Sequence, residues 1–368
     1  MKSQQRLHSL DALRGFDMLF IMGFSSLVIA LCALFPDGAD CWLAQTMKHA
    51  KWNGLHHHDT IFPLFLFLAG VSFPFSYAAS LEKGMSRRQI YLKIVRRTFT
   101  LILFGLIYNG LFKLDFASLR VCSVLGRIGF AWGVAAVLFV NFSRLSRAMI
   151  GCAILLGYYL VACYIPAPDV EGADPLTMQG TIVGYVDRLL TPGRLLYDEG
   201  RFDPEGLLSA LPAVVTAMLG MFTGEYVRSE KHSANRKTLT MLAASAVMLG
   251  VGLLWSLEFP INKMLWSSSF VLVVGAYSLA MFAIFYYIID VRGCKGWAKP
   301  FAIIGMNSIT IYMAQRIFSF SSVNKFFLGG LAEHLPPLWG AVVLKAGFVL
   351  ICWLFLYFLY RQKIFLKV

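Results

Sequence analysis

Apolar runs of about 20 residues, separated by short polar connectors, recur along the whole chain, and each is long enough to cross a ~30 Å hydrocarbon layer as a helix. The pattern predicts ten helices, at 15–35, 60–80, 98–114, 122–141, 148–165, 207–227, 238–256, 267–290, 300–317 and 338–360. The expected fold class is an all-α polytopic membrane protein. It forms a single transmembrane domain over 1–368, with outward-facing loops at 36–59 and 167–206. An even number of spans places both termini on one side, and lysine and arginine decide which. Lys2, Arg6, Arg14, then Lys83, Arg87, Arg88, Lys93, Arg96 and Arg97, and finally Arg361, Lys363 and Lys367 all fall on the terminal side. The opposite loops carry fewer, so the positive-inside rule puts both termini in the cytoplasm.

Composition supports this reading. Of 368 residues, 58% are hydrophobic and only 14% charged, where a soluble domain carries about a quarter. The net charge of +13 lies in short clusters between apolar runs and forms no continuous stripe, which argues against a nucleic-acid partner. Seven scattered cysteines with no C-x-x-C pair give no support to a zinc or redox site. No P-loop, GxSxG or HExxH occurs. The first apolar run follows the polar start "MKSQQRLHSLDALR" and is long enough to stay as a signal anchor.

Several polar residues fall inside apolar spans: Asp17, Asn109, Arg127, Asn307 with Ser308, and Lys345. Facing lipid would cost each several kcal/mol, so they should face the bundle interior. For each, helix–helix bonding and a functional role both stand open. Arg127 is not easily neutralised and requires a carboxylate, carbonyls or an anionic ligand. The connector "MKHAKWNGLHHHD", Met47 to Asp59, gathers four of the seven histidines. His56, His57 and His58 are consecutive, cannot converge on one centre, and read as surface or interfacial. His8, His232 and His334 read as solvated. His49, set among Lys48, Trp52 and Asn53 at a membrane boundary, is the catalytic candidate.

The motifs "SLDALRGFDM" (Ser9–Met18) and "KHAKWNGLHHHDTIFPLFLFLAG" (Lys48–Gly70) resemble the transmembrane heparan-α-glucosaminide N-acetyltransferase family. So do "VLGRIGFAWG", "GYVDRLL", "FDPEGLL", "PINKMLWSSSFV", "GMNSITIYM" and "YRQKIFLKV", in the expected order over essentially the whole chain. The resemblance implies transfer of an acetyl group from cytosolic acetyl-CoA to an amino sugar across the membrane. It matches the family's catalytic histidine to His49 and includes Asp59, while the triple histidine lies outside the shared pattern. Starting directly at the "LDxxRG" motif, the chain resembles a ten-helix minimal form of bacterial type, in an inner membrane with its site facing the periplasm. The family places an asparagine in the first helix where this chain has Ser25, which implies a difference in how donor or acceptor is held.

The site expectations follow. His49 and Asp59 are catalytic, the first as general base, with a nucleophilic route through an acetyl-imidazole left open, and the second orienting it. Arg14 and Arg97 are phosphate partners of acetyl-CoA, with Arg127, Asn307 and Ser308 as further donor-binding residues. Trp52, Asn53, Asn262, Lys263 and Trp266 bind the acceptor, and Asn53, Asn262, Asn307 or Arg127 supplies donors to the oxyanion. No metal is expected. The partners are acetyl-CoA, an amino sugar or glycan, and the lipid bilayer, with no nucleic acid and a homodimer left open. Two alternatives stand beside this: O-acylation of a carbohydrate hydroxyl, and a non-catalytic transporter of a small polar solute.

Overall fold

The computed structural model describes residues 7–366. Lys2, Arg6 and Lys367, which enter the charge argument, lie outside the described residues. The long helices are α1 (His8–Cys32), α2 (His57–Glu82), α3 (Arg87–Tyr108), α4 (Val124–Asn141) and α5 (Arg144–Tyr164). After a short α6 (Ile182–Leu190) come α7 (Ala210–Arg228), α8 (Ala234–Trp255) and α9 (Ser268–Val291). The chain closes with α10 (Lys299–Met306), α11 (Ser308–Ile317), α12 (Phe320–Glu333) and α13 (Pro337–Arg361). Eight of these, among the described residues, are long and apolar enough to cross a membrane. The protein is an all-α polytopic membrane protein.

The other two expected spans have identifiable departures. The span at 98–114 falls in α3, which starts at Arg87 and carries Arg87, Arg88, Lys93, Arg96 and Arg97 in its first half. A capping box fixes that start: the Gln89 N–H donates to Ser86 Oγ and the Ser86 N–H to Gln89 Oε1. The span at 300–317 is broken into α10 and α11 at Asn307, whose φ/ψ of −128°/30° is not helical. Helix α12 lies in what the hydropathy pattern leaves as a loop between 317 and 338.

The described residues sort into two compact units. The first takes the residues up to Ala50, Leu55–Ile61 and those from Met281 on. Here α1 and α10 cross so closely that a Cβ on Gly15 would collide with the Phe301 carbonyl, and one on Gly305 with the Asp11 carbonyl. Such small-residue crossings let helices meet by backbone packing where lipid offers no hydrophobic drive. Met18, Met22, Ile304, Ile311, Cys352 and Leu356 form the core shared by α1, α10, α11 and α13. Within α1, residues Phe20–Phe24 widen into a π-turn in which Gly23 takes φ 113°, a break that re-aims the following turn.

The second unit takes Lys51–Gly54 and Phe62–Ala280. Its close crossing joins α2 to α7, where Cβ atoms on Gly70 and Gly220 would meet the Ala217 and Phe67 carbonyls. Serine N-caps start α4 (Ser123), α5 (Ser143) and α8 (Ser233). The segment between α5 and α7 is ordered by α6 and by the cluster Tyr158, Ala162, Val183, Phe202, Phe259 and Leu265.

Candidate active site

In the first unit the site is built on the entry to α2. Phe20, Met47 and Ile61 bury together, pinning the connector where it leaves α1 and where it enters α2. Between those anchors Asp59, 1% exposed in its side chain, is the centre of the local structure. Its Oδ1 accepts from His49 Nδ1 at 2.7 Å. Its Oδ2 accepts from the backbone N–H of Ala50 and of His56, each at 3.1 Å. The bond to His56 is the reach-back half of a capping box, and the carboxylate also sits in the first helical turn, where the macrodipole favours negative charge. A carboxylate only accepts, so His49 carries its proton on Nδ1 and the lone pair on Nε2. The His49 side chain is 47% exposed. A half-exposed imidazole polarised by a buried, saturated carboxylate can take a proton from a weakly acidic group.

The three consecutive histidines, read as surface or interfacial, are each engaged by neighbouring residues. His56 Nδ1 bonds the Lys48 carbonyl at 3.1 Å. His57 packs its ring on Phe20, centroids 4.5 Å apart. His58 lies edge-on to His49, centroids 4.5 Å apart, and bonds Ser25 Oγ through Nδ1 at 3.1 Å. All three are partly buried. Ser25 and His58 thus join His49 and Asp59, an association that the sequence signalled only through the departure at Ser25. Residues three or four apart share a helix face, so a consecutive run gave no such sign.

The donor-side candidates of this unit are engaged locally. Arg14 lies 3.7 Å from Asp11. Asn307, 2% exposed, grips the chain's tail: its Nδ2 donates to the Ile364 carbonyl at 2.9 Å and its Oδ1 accepts from Leu366 N–H at 3.3 Å. Ser308 is buried beside it at the start of α11.

The second unit holds the remaining candidates. Trp52 donates from Nε1 to the Leu176 carbonyl at 2.8 Å and packs edge-on to Phe202. Asn53 Oδ1 accepts from Asn262 Nδ2 at 3.0 Å, and the Gly54 N–H donates to the Ile261 carbonyl at 2.8 Å. Lys263 follows Asn262 and is partly buried. Trp266 is 1% exposed, lies at φ 54°, and carries the Arg127 guanidinium 5.1 Å from its ring centroid. Arg127 meets carbonyl and hydroxyl rather than carboxylate, donating to the Gly206 carbonyl at 3.1 Å and to Ser209 Oγ. Arg97 lies over the Trp132 ring, 4.2 Å from its centroid.

A charge cluster that sequence reasoning passed over ties the segment before α4 to the segment before α7 in this unit. Asp203 takes Arg120 bidentately, at 2.7 and 2.6 Å, and Glu205 takes it as well. Burial alone would lower the Arg120 pKa, but the two carboxylates outweigh it and raise that pKa further above its ordinary value. The quoted "FDPEG" contains both carboxylates, but their partner stands more than eighty residues away. Beside them, burial pushes the Asp187 carboxyl up to about 7, against the Leu207 N–H that bonds its Oδ1 at 2.7 Å and the nearby Arg127.

No family model matches the chain. Among curated proteins it is similar to heparan-alpha-glucosaminide N-acetyltransferase of Homo sapiens, 30% identical over 99% of this chain and 60% of that protein. It is similar as well to the Mus musculus protein of the same name, 28% identical over the whole of this chain and 61% of that protein. The chain therefore spans about three-fifths of the length of these relatives.

Proposed function

We propose, for a chain that belongs to the heparan-alpha-glucosaminide N-acetyltransferase family, that it moves an acetyl group from cytoplasmic acetyl-CoA to the amine of a glucosamine-type sugar on the outward side of the membrane. The observation that carries this reading is the 2.7 Å bond between half-exposed His49 and buried Asp59, in the connector that the resemblance marks as catalytic. An ammonium is not a nucleophile, so the acceptor first gives one proton to solvent, and the free amine that attacks the thioester carbon must then lose a second. His49 Nε2 takes that proton, and Asp59 stabilises the imidazolium. As the tetrahedral intermediate collapses, His49 returns the proton to the departing sulfur.

CoA is too anionic to lie in hydrocarbon, so its phosphates stay at the cytoplasmic face, where Arg14 and Arg97 are assigned to them. Trp52, Asn53, Asn262 and Lys263 are assigned to the acceptor. The membrane is a bacterial inner membrane in this reading, with the acceptor in the periplasm. The test is product mass: purified protein in vesicles is given acetyl-CoA with a panel of amino sugars and neutral glycans. A gain of one acetyl group on the amine of a glucosamine-type sugar is expected, and His49→Ala should abolish it. Acetylation of hydroxyls alone would replace this reading with O-acyl transfer. Solute uptake without acetyl-CoA consumption would replace it with transport.

A further inference from the structure

Of the polar residues singled out inside apolar spans, Lys345 departs from the expected inward placement. Asp17, Arg127, Asn307 and Ser308 are buried, and Lys345 is exposed. It does not stand alone. Lys325 of α12 lines the same cavity of about 420 Å³, together with Gly23 and Ser26 of α1 and Ser321 of α12. All of these residues belong to the first unit. Among the described residues neither ammonium forms an ion pair. Helix α13 carries no acid, α12 only Glu333 at its far end, and α1 none beyond Asp17. Two cations on one cavity repel each other, and a cation facing hydrocarbon is expensive, so the cavity calls for an anion from outside the chain. Its surroundings are lipid-facing: Phe326 and Phe327, directly after Lys325, are exposed, as are Leu338 and Leu350 of α13. Trp339, exposed near the start of α13, suits the headgroup level. Lys345 stands six residues further in, about 9 Å along the helix at ~1.5 Å per residue.

We propose that this cavity binds the phosphate of a net-anionic phospholipid from the leaflet on the Trp339 side, the outward one in the topology read from charge. The Lys325 and Lys345 ammoniums donate to the phosphate oxygens, and the Ser26 and Ser321 hydroxyls add further donors. The flexible lysine stems bring both charges back towards the headgroup level. The acyl chains run over Phe326 and Phe327. Charge complementarity selects this occupant. A zwitterionic lipid brings an ammonium of its own, which both lysines repel. A soluble anion matches the charge but leaves the exposed phenylalanines unserved. Gly23 and Ser26 bracket Ser25, which bonds His58, so a headgroup seated here packs against the turn that carries Ser25. The site goes beyond the acetyl-transfer reading and does not depend on it.

The test titrates the full purified chain with lipid and reads bound lipid by native mass spectrometry. Given equal phosphatidylglycerol and phosphatidylcholine, the wild type should retain phosphatidylglycerol in preference. A lysine near a membrane surface contributes about fivefold in affinity for anionic lipid. Lys325→Gln or Lys345→Gln should therefore weaken phosphatidylglycerol binding about fivefold, and the double variant roughly 25-fold. Lys325→Arg with Lys345→Arg keeps both charges and should keep the preference. A readout on the wild type is independent of any variant's folding: phosphatidylglycerol with a photoreactive diazirine in its headgroup should label peptides covering 319–328 or 341–348. Equal retention of the two lipids by the wild type, labelling only elsewhere, or an unchanged preference in a folded double glutamine variant would each overturn the proposal. Displacement of the lipid by glycerol 3-phosphate alone would do so as well, since the site would then serve a small soluble phosphate.

Discussion

Asp59 answers three donors with two oxygens, and that arithmetic makes its replacement informative. In Asp59→Asn, an NH₂ group must face either His49 or the two backbone N–H groups of Ala50 and His56. Facing the backbone leaves two donors opposed by a donor, at a cost of about 1–3 kcal/mol for each unsatisfied group. Facing His49 forces the imidazole into the wrong tautomer. The expected outcome is a kcat loss of roughly 10²–10⁴-fold, together with a lower thermal midpoint. Steady-state kinetics and a melting curve on the same preparation check it. Full activity with a lower midpoint alone would make Asp59 a loop clasp and nothing more. At this scale the titratable connector stood out against its apolar setting, and the family resemblance picked out His49 and Asp59 within it. It concealed Ser25 and His58, because their meeting depends on a π-turn that hydropathy does not encode.

Elements were legible where they are uniformly apolar, and less so where charge or polarity interrupts them. Helix α3 extends well before the apolar run that announced it, since a capping box and not hydropathy sets its start. The expected ninth span is divided because Asn307 commits its side chain to the tail. Helix α6 shows the opposite case, a short element held by a buried acid. Asp187 ionises near 3.8 in the unfolded chain but only at about 7 in the fold, because burial penalises its charge. Below pH 3.8 both states are neutral and the group contributes nothing. Between that and about 7 the unfolded state binds fewer protons than the fold, so stability is lost as pH rises. Asp187→Asn, which keeps an acceptor for Leu207, should match the wild type at pH 4 and exceed it by a few kcal/mol at pH 8, since each tenfold change in proton affinity is worth ~1.4 kcal/mol. Thermal midpoints across that range decide it. Equal stability at both ends would mean that Asp187 is ionised in the fold.

For the whole molecule, hydropathy announced a membrane protein because eight helices among the described residues carry the length and apolarity that a bilayer demands. The charge cluster around Arg120 was hidden, since pairing across more than eighty residues leaves no periodic trace. Sidedness rests on the lysine and arginine distribution, and labelling tests it. In a chain whose native cysteines are replaced by serine, Glu171→Cys should react with an impermeant maleimide on intact cells. Lys231→Cys should react only after permeabilisation, and the reverse pattern would invert the topology. The unit that holds Ser25, His49, His58 and Asp59 is assembled from two distant stretches of the chain, with Phe62–Ala280 of the second unit encoded between them. During synthesis, α1 and the connector leave the ribosome before most of the second unit, and α10 and α13, which complete the packing of α1, follow it. At elongation rates of about 5–20 residues per second, roughly 10–40 s separate Ile61 from Met281. For that interval Gly15 of α1 has no α10 to meet. The first helix is therefore a client that a membrane insertase or chaperone must hold until α10 arrives, and the cluster of Ser25, His49, His58 and Asp59 has its full packing only once the residues from Met281 on have been made.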